Sequence, residues 1–318
     1  MSEVALLPPA AHGIPLRCAY NGRMTTPQNA MHTTPYCLVG PAILAAVLIV
    51  TSAGGCAPQA QTVRPDQPVD YQAHSTQLQG WPADMALAST RRTLDVGRSA
   101  DGGTLAVEAF GSGLKTVLVL GGIHGDETRS VEVARLLADY LAATPEAVLG
   151  KTVAILSDAN PSGAARRTRT NASGVDLNRN FAARNWQPGT MGRRDYPGPS
   201  PGSEPETQAI IRAFERLRPG RIISIHTTAR DEACNNFDGP AEGLARLMAA
   251  QNGYPVLANI GHPTPGSLGS WAGIDRGVPV ITLELPESRP GAECWERNRG
   301  ALLEAISADA PAPPATPG

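Results

Sequence analysis

Four apolar runs recur along this chain, at residues 116–120, 152–156, 222–225 and 278–285, with stretches of helical period between them. Val131, Ala134, Leu137 and Leu141 form the first such stretch, Ile210, Ile211, Phe214 and Leu217 the second, and Leu244, Leu247 and Met248 the third. Apolar runs of this length read as strands, and the spacing between them reads as amphipathic helix. Alternation of the two predicts a largely parallel or mixed sheet with helices on both faces, an α/β fold. Upstream, residues 93–97 and 104–110 flank the turn-like segment Arg98-Ser-Ala-Asp-Gly-Gly103, which predicts a hairpin. Ser203-Glu-Pro-Glu206 reads as a capping box opening the second helix, which gives Glu206 a structural role.

Polar residues collect where those strands end. His124 follows the first, Asn160 the second, His226 closes the third, and Glu284 lies within the fourth. Sites in open α/β sheets form outside the carboxyl ends of the strands, so the four side chains are expected on one edge. His124-Gly-Asp-Glu127 sets a histidine and a carboxylate three residues apart, which is half of a metal site. Hydrolytic zinc sites commonly use two His and one Glu and leave a position for water. The chain has six histidines. His12, His32 and His74 precede the region that reads as folded, and His262 lies in a Gly/Pro-rich loop, so His226 is the expected third ligand.

An acid within an apolar strand, as Glu284 is, is costly to bury without a partner. Beside a metal-activated water it has a task, taking a proton and passing it to a leaving amine. The segment from Arg166 to Phe181 concentrates arginines among turn residues. Such guanidinium groups suit a substrate carboxylate or a developing oxyanion. A formal charge of -2 and the lack of a wider basic stripe or aromatic platform argue against nucleic acid.

With 318 residues, 42% hydrophobic and 18% charged, the chain suffices for one catalytic domain plus extensions. Residues 37–50 are apolar but interrupted by Gly40 and Pro41, too short for a span of roughly 20 residues. They read as the h-region of a secretory signal. Ser52-Ala-Gly-Gly55 before Cys56 resembles a lipobox, although Ala53 stands where leucine is usual. The expected division is a signal peptide over 1–56 and a Gln/Pro-rich linker over 57–90. A peptidase domain over 91–309 and a disordered Pro/Ala tail over 310–318 complete it. An exported, periplasmic lipoprotein tethered through Cys56 is the implied location. Mature protein would retain Cys234 and Cys294, which an oxidising compartment would allow to pair.

His124-Gly-Asp-Glu127, Asn160-Pro-Ser-Gly163, Gly174-Val-Asp-Leu-Asn-Arg-Asn-Phe181, His226 and Thr282-Leu-Glu284 together resemble the ordered signature of the zinc carboxypeptidase family related to carboxypeptidase A. The resemblance implies a single domain with a mixed sheet of about eight strands and one zinc ion held by His124, Glu127 and His226. It implies Glu284 as general base and acid, and Asn178 and Arg179 as the pair holding the released residue's carboxylate. The transition-state arginine falls in the cluster at 166–169, with Arg169 favoured by its spacing to Gly174 and Arg166 the alternative. The family's loop tyrosine has no clear counterpart. Gly261 or His262 occupies its neighbourhood, and the nearest upstream tyrosine is Tyr254.

Within the family, the chain is most similar to bacterial murein peptide amidases. Ser203-Glu-Pro-Glu-Thr207, Asp238-Gly-Pro-Ala241, Pro263-Thr-Pro-Gly-Ser-Leu-Gly-Ser-Trp-Ala272 and Ile281-Thr-Leu-Glu-Leu-Pro286 carry that similarity. Cleavage between γ-D-glutamate and meso-diaminopimelate in murein peptides is the activity it implies. One rival is an amidohydrolase like aspartoacylase or succinylglutamate desuccinylase, which shares the H-x-x-E and Asp-Leu-Asn-Arg elements. Another is a lipoprotein that binds wall peptides without cutting them. Nothing in the sequence sets the oligomeric state.

Overall fold

The computed structural model describes residues 91–148, 150–228, 231–258 and 264–309. Eight strands among these residues form one sheet: β1 (Arg92–Arg98), β2 (Thr104–Phe110), β3 (Lys115–Leu120), β4 (Lys151–Leu156), β5 (Arg221–Thr228), β6 (Cys234–Asp238), β7 (Val256–Leu257) and β8 (Val280–Pro286). Their spatial order is β1-β2-β4-β3-β5-β8-β6-β7. The central four, β4-β3-β5-β8, run parallel, while β2 and β6 join them antiparallel. Five helices accompany the sheet: α1 (Thr128–Ala143), α2 (Pro161–Arg166), α3 (Pro205–Leu217), α4 (Glu242–Asn252) and α5 (Gly291–Ser307). The expected α/β fold with a mixed sheet of about eight strands is thus observed.

Strand alternation divides the core in two. Val117, Val119, Ile223, Ile225, Ile281 and Leu283 face α1, α4 and α5. Leu118, Leu120, Ile222 and Val280 face α3 and Trp271 on the other side. On this second face, polarity rises along the parallel strands. Ile222 gives way to Ser224 and His226 on β5, and Val280 to Thr282 and Glu284 on β8. The apolar end of each strand fixes it in the core, and the polar end opens into a cleft.

The chain proceeds from β3 to β4 on one side and later adds β5 on the other. A crevice forms where strand order reverses in this way. His124 follows β3 and His226 lies near the end of β5, so both ligand candidates flank the switch point.

The capping-box expectation is corrected. Pro205 at the first helical position sets the start of α3, Glu204 is the N-cap, and no side chain caps it. Glu206 instead turns inward, accepting hydrogen bonds from the Ala100 amide at 2.8 Å and from Asn171 Nδ2 at 3.0 Å. Cys234 and Cys294 are both buried and free, so the disulfide that the sequence allows is not formed. The proposed signal, lipobox, linker and tail lie outside the described residues, as do Gly261 and His262. Among the described residues no helix is long and apolar enough to cross a membrane.

Candidate metal centre and active site

The loop after β3 is held in place by Asn160. Its side chain donates to the carbonyl oxygens of Ile123 and Arg169, both at 3.3 Å, and accepts from the Gly163 amide at 2.9 Å. Asn160 therefore ties the His124 loop to the arginine loop while capping α2. Gly125 lies so close to α2 that a Cβ there would stand 2.1 Å from the Gly163 carbonyl carbon. Only glycine permits that approach.

His124, Glu127 and His226 converge, their ligand atoms lying within 4.8 Å of one another. His124 Nδ1 is 2.6 Å from Glu127 Oε1 and 3.2 Å from His226 Nδ1, and His226 Nδ1 is 3.0 Å from Glu127 Oε2. Tetrahedral zinc with bonds of about 2.0–2.1 Å has edges of about 3.3 Å; the separations to His226 approach that figure, and His124 and Glu127 lie closer, at hydrogen-bond distance. Two imidazoles that aim Nδ1 at each other and at one carboxylate have the donor chemistry for a divalent cation. Burial works against charge on these groups, yet the two histidines hold the Glu127 carboxyl well below its ordinary range.

Behind the set lies Asp176, fully buried. It accepts from Arg169 Nε at 2.9 Å and faces His124 Nε2 at 3.2 Å. Burial would raise its carboxyl, but His124 and Arg169 hold it well below the ordinary range. Fixing Nε2 as the proton-bearing nitrogen leaves Nδ1 free for a metal. Sequence pattern alone does not single out Asp176, which stands two residues before Asn178 in the segment Gly174–Phe181. We expect Asp176→Asn to weaken zinc affinity about 10- to 100-fold, measured by competition with a chromophoric chelator.

Arg169 Nη1 lies 3.2 Å from His124 Nδ1 and 3.6 Å from Glu127 Oε1, at the site itself. Arg166 sits exposed in the last turn of α2 and does not line the cleft, because the turn after α2 carries the chain inward only by Arg169. Asn178 and Arg179 line the cleft, with Asn178 Oδ1 accepting from the Leu268 amide at 2.9 Å. Arg179 is nearly buried, and burial lowers its pKa. Glu284 pairs with His226 across β5 and β8 and lines the same cleft, whose volume is about 1300 Å³. Burial chiefly pushes its carboxyl up to about 7, with Glu127 adding to the shift and His226 opposing it. Tyr254 is half-buried, its hydroxyl facing Asn298 at 3.3 Å, and it packs on the core beneath the opposite sheet face.

Comparison with known proteins agrees with this geometry. Residues 84–231 match the zinc carboxypeptidase family. Murein peptide amidase A of Escherichia coli (strain K12) is 38% identical over 180 residues, which span 53% of this chain and 70% of that protein. The chain belongs to the zinc carboxypeptidase family. Among solved structures, the murein-tripeptide amidase from Escherichia coli O157 aligns with a TM-score of 0.56 at 32% identity, covering 71% of this chain and 96% of that one. Succinylglutamate desuccinylase of Paraburkholderia xenovorans (strain LB400) is 29% identical over 191 residues, 56% of this chain and 52% of that protein. This member of the zinc carboxypeptidase family is therefore an amidase-type hydrolase, similar to murein peptide amidases.

Proposed function

We propose that the protein hydrolyses the amide bond to a carboxylate-bearing terminal residue, with γ-D-glutamyl-meso-diaminopimelate in murein peptides as substrate. The convergence of His124, Glu127 and His226 beside Glu284 carries this reading. These three side chains would hold one zinc ion, which when bound acts as a Lewis acid and lowers the pKa of water to about 7. Glu284 takes a proton from the attacking water and delivers it to the leaving amine. Arg169, oriented by Asp176, places a fixed positive charge where the oxyanion develops. Asn178 and Arg179 hold the terminal carboxylate, Arg179 being suited to a bidentate grip.

Mass spectrometry of L-Ala-γ-D-Glu-meso-diaminopimelate incubated with the purified full-length chain tests the proposal. Release of diaminopimelate by the zinc-loaded protein, and none by the chelated protein, is the expected result. Turnover of acylated amino acids without turnover of the peptide would favour the second reading, a desuccinylase-like amidohydrolase, to which the similarity with the Paraburkholderia enzyme points. The intact donor set and Glu284 speak against a lipoprotein that only binds wall peptides.

We further propose export to the periplasm with lipidation at Cys56. Metabolic labelling with a fatty acid should mark the wild-type chain and leave Cys56→Ala unlabelled. Equal labelling of both would refute the anchor.

A further inference from the structure

A second cavity, of about 450 Å³, opens beside the cleft between the loops 168–174 and 191–194. It shares Asp126, Arg169, Arg193 and Arg194 with the cleft, and of these the reaction uses only Arg169. Asn178 and Arg179, assigned above to the terminal carboxylate, line the cleft but not this cavity. With the scissile carbonyl at Arg169 and the released residue toward Arg179, the second cavity therefore falls on the acyl side of the bond.

Its charged groups are not spent on the fold. Arg193, Arg194 and Asp126 are all exposed. Arg193 Nε faces Asp195 Oδ1 at 3.6 Å, whereas among the described residues no acceptor pairs with the Arg194 guanidinium and no donor with the Asp126 carboxylate. Arg194 stands close enough to Arg179 to disfavour its charge. Burial chiefly lowers the Arg179 pKa, and Arg169 and Arg194 add to that shift against Asp176 and Asp195. Guanidinium groups gathered about one space draw an anion into it.

A guanidinium and an acceptor in one cavity complement a carbon that carries both a carboxylate and an N–H. The α-carbon of a glutamyl residue linked through its γ-carboxyl is such a centre, and its carboxylate lies about 5 Å from the scissile carbon. Met191, 76% exposed on the same cavity, adds apolar surface for the methylene groups between them. An acyl residue without a carboxylate offers Arg194 nothing. We propose that this cavity is an acyl-side subsite in which Arg194 is the specificity-determining residue, taking the α-carboxylate of a γ-linked glutamyl residue while Asp126 accepts the adjacent N–H. The proposal rests on the reading of the cleft as an amide hydrolase. It deepens that reading on the side of the bond that Asn178 and Arg179 do not touch.

Two measurements on the full-length, zinc-loaded chain test it. The first compares kcat/KM for L-Ala-γ-D-Glu-meso-diaminopimelate with that for the peptide carrying 4-aminobutanoate in place of γ-D-glutamate, which lacks only the α-carboxylate. Wild type should favour the glutamyl peptide about ten- to a hundredfold. Arg194→Gln should bring the ratio toward one by slowing the glutamyl peptide alone, at unchanged zinc content. Equal slowing of both peptides would put Arg194 on the carboxylates of the released residue and overturn the proposal. The second measurement is calorimetry of the acyl fragments, L-Ala-D-Glu against L-Ala-4-aminobutanoate, which needs no turnover. Wild type should bind the glutamate fragment more tightly by a similar factor, and Arg194→Gln should bind the two alike. A preference that survives in Arg194→Gln, or none in wild type, overturns the proposal. Cleavage of both peptides at equal rates by wild type overturns it while upholding the hydrolase reading. An Arg194-dependent binding preference with neither peptide cleaved supports the subsite and refutes the murein substrate.

Discussion

Replacing Glu284 by glutamine lowers kcat by about two to four orders of magnitude and leaves zinc binding at one equivalent. Glutamine keeps the shape of the side chain but cannot accept and return a proton, so binding and chemistry separate in this variant. A steady-state assay beside a metal analysis checks both. Because the base works only when ionised, wild-type kcat/KM should fall on the acid side as Glu284 is protonated, at a pH below the value of about 7 that burial gives the metal-free site, since a bound divalent cation favours the carboxylate. The Gln variant's residual rate should lack that limb.

The same residue has an opposite effect on the metal-free fold. Its folded pKa lies above the unfolded value of about 4.3, so its stabilising contribution is complete below that value and is lost as pH rises through about 7. Metal-free Glu284→Gln should therefore be more stable than metal-free wild type at pH 8, by about 4 kcal/mol, and no more stable at pH 4. Thermal melts at the two pH values measure this. A variant that is more stable and nearly inactive is the pattern expected where a fold carries a strained group for function.

Substituting Glu127 by glutamine should have the other large effect, loss of high-affinity zinc and with it activity. Glu127 faces both histidines and also accepts from the Thr227 amide at 3.0 Å. Removing its charge deletes one of three ligands and leaves two buried imidazoles without their anion. Equilibrium dialysis against zinc should show affinity reduced by at least the 10- to 100-fold typical of losing a supporting group, with the rate falling in parallel. Retained zinc with lost activity would mean that Glu127 serves the chemistry instead of the metal.

Much of this site was legible because metal chemistry restricts residue type and strand ends restrict position. His124, His226 and Glu284 each lie where an apolar run stops or is interrupted, and parallel pairing of β3, β5 and β8 brings them to one edge. Asp176 was not legible, since a buried carboxylate that orients an imidazole looks like any turn aspartate until its partners are known. The misread capping box has a similar cause. Ser203 and Glu206 have the right spacing, but Pro205 fixes the helix start and tertiary partners at Ala100 and Asn171 draw Glu206 away. β6 was hidden because Cys234, Asn235, Asn236 and Asp238 give it no apolar period. Its pairing with β8 is a long-range contact that local pattern does not encode.

Zinc titration into the metal-free chain, with release of amine from the tripeptide followed at each addition, decides whether one zinc ion at His124, Glu127 and His226 carries the activity. Activity should rise linearly and saturate at one zinc per chain in wild type, with no recovery in His226→Ala. Full activity in the chelated protein, or in His226→Ala at the same stoichiometry, would contradict it.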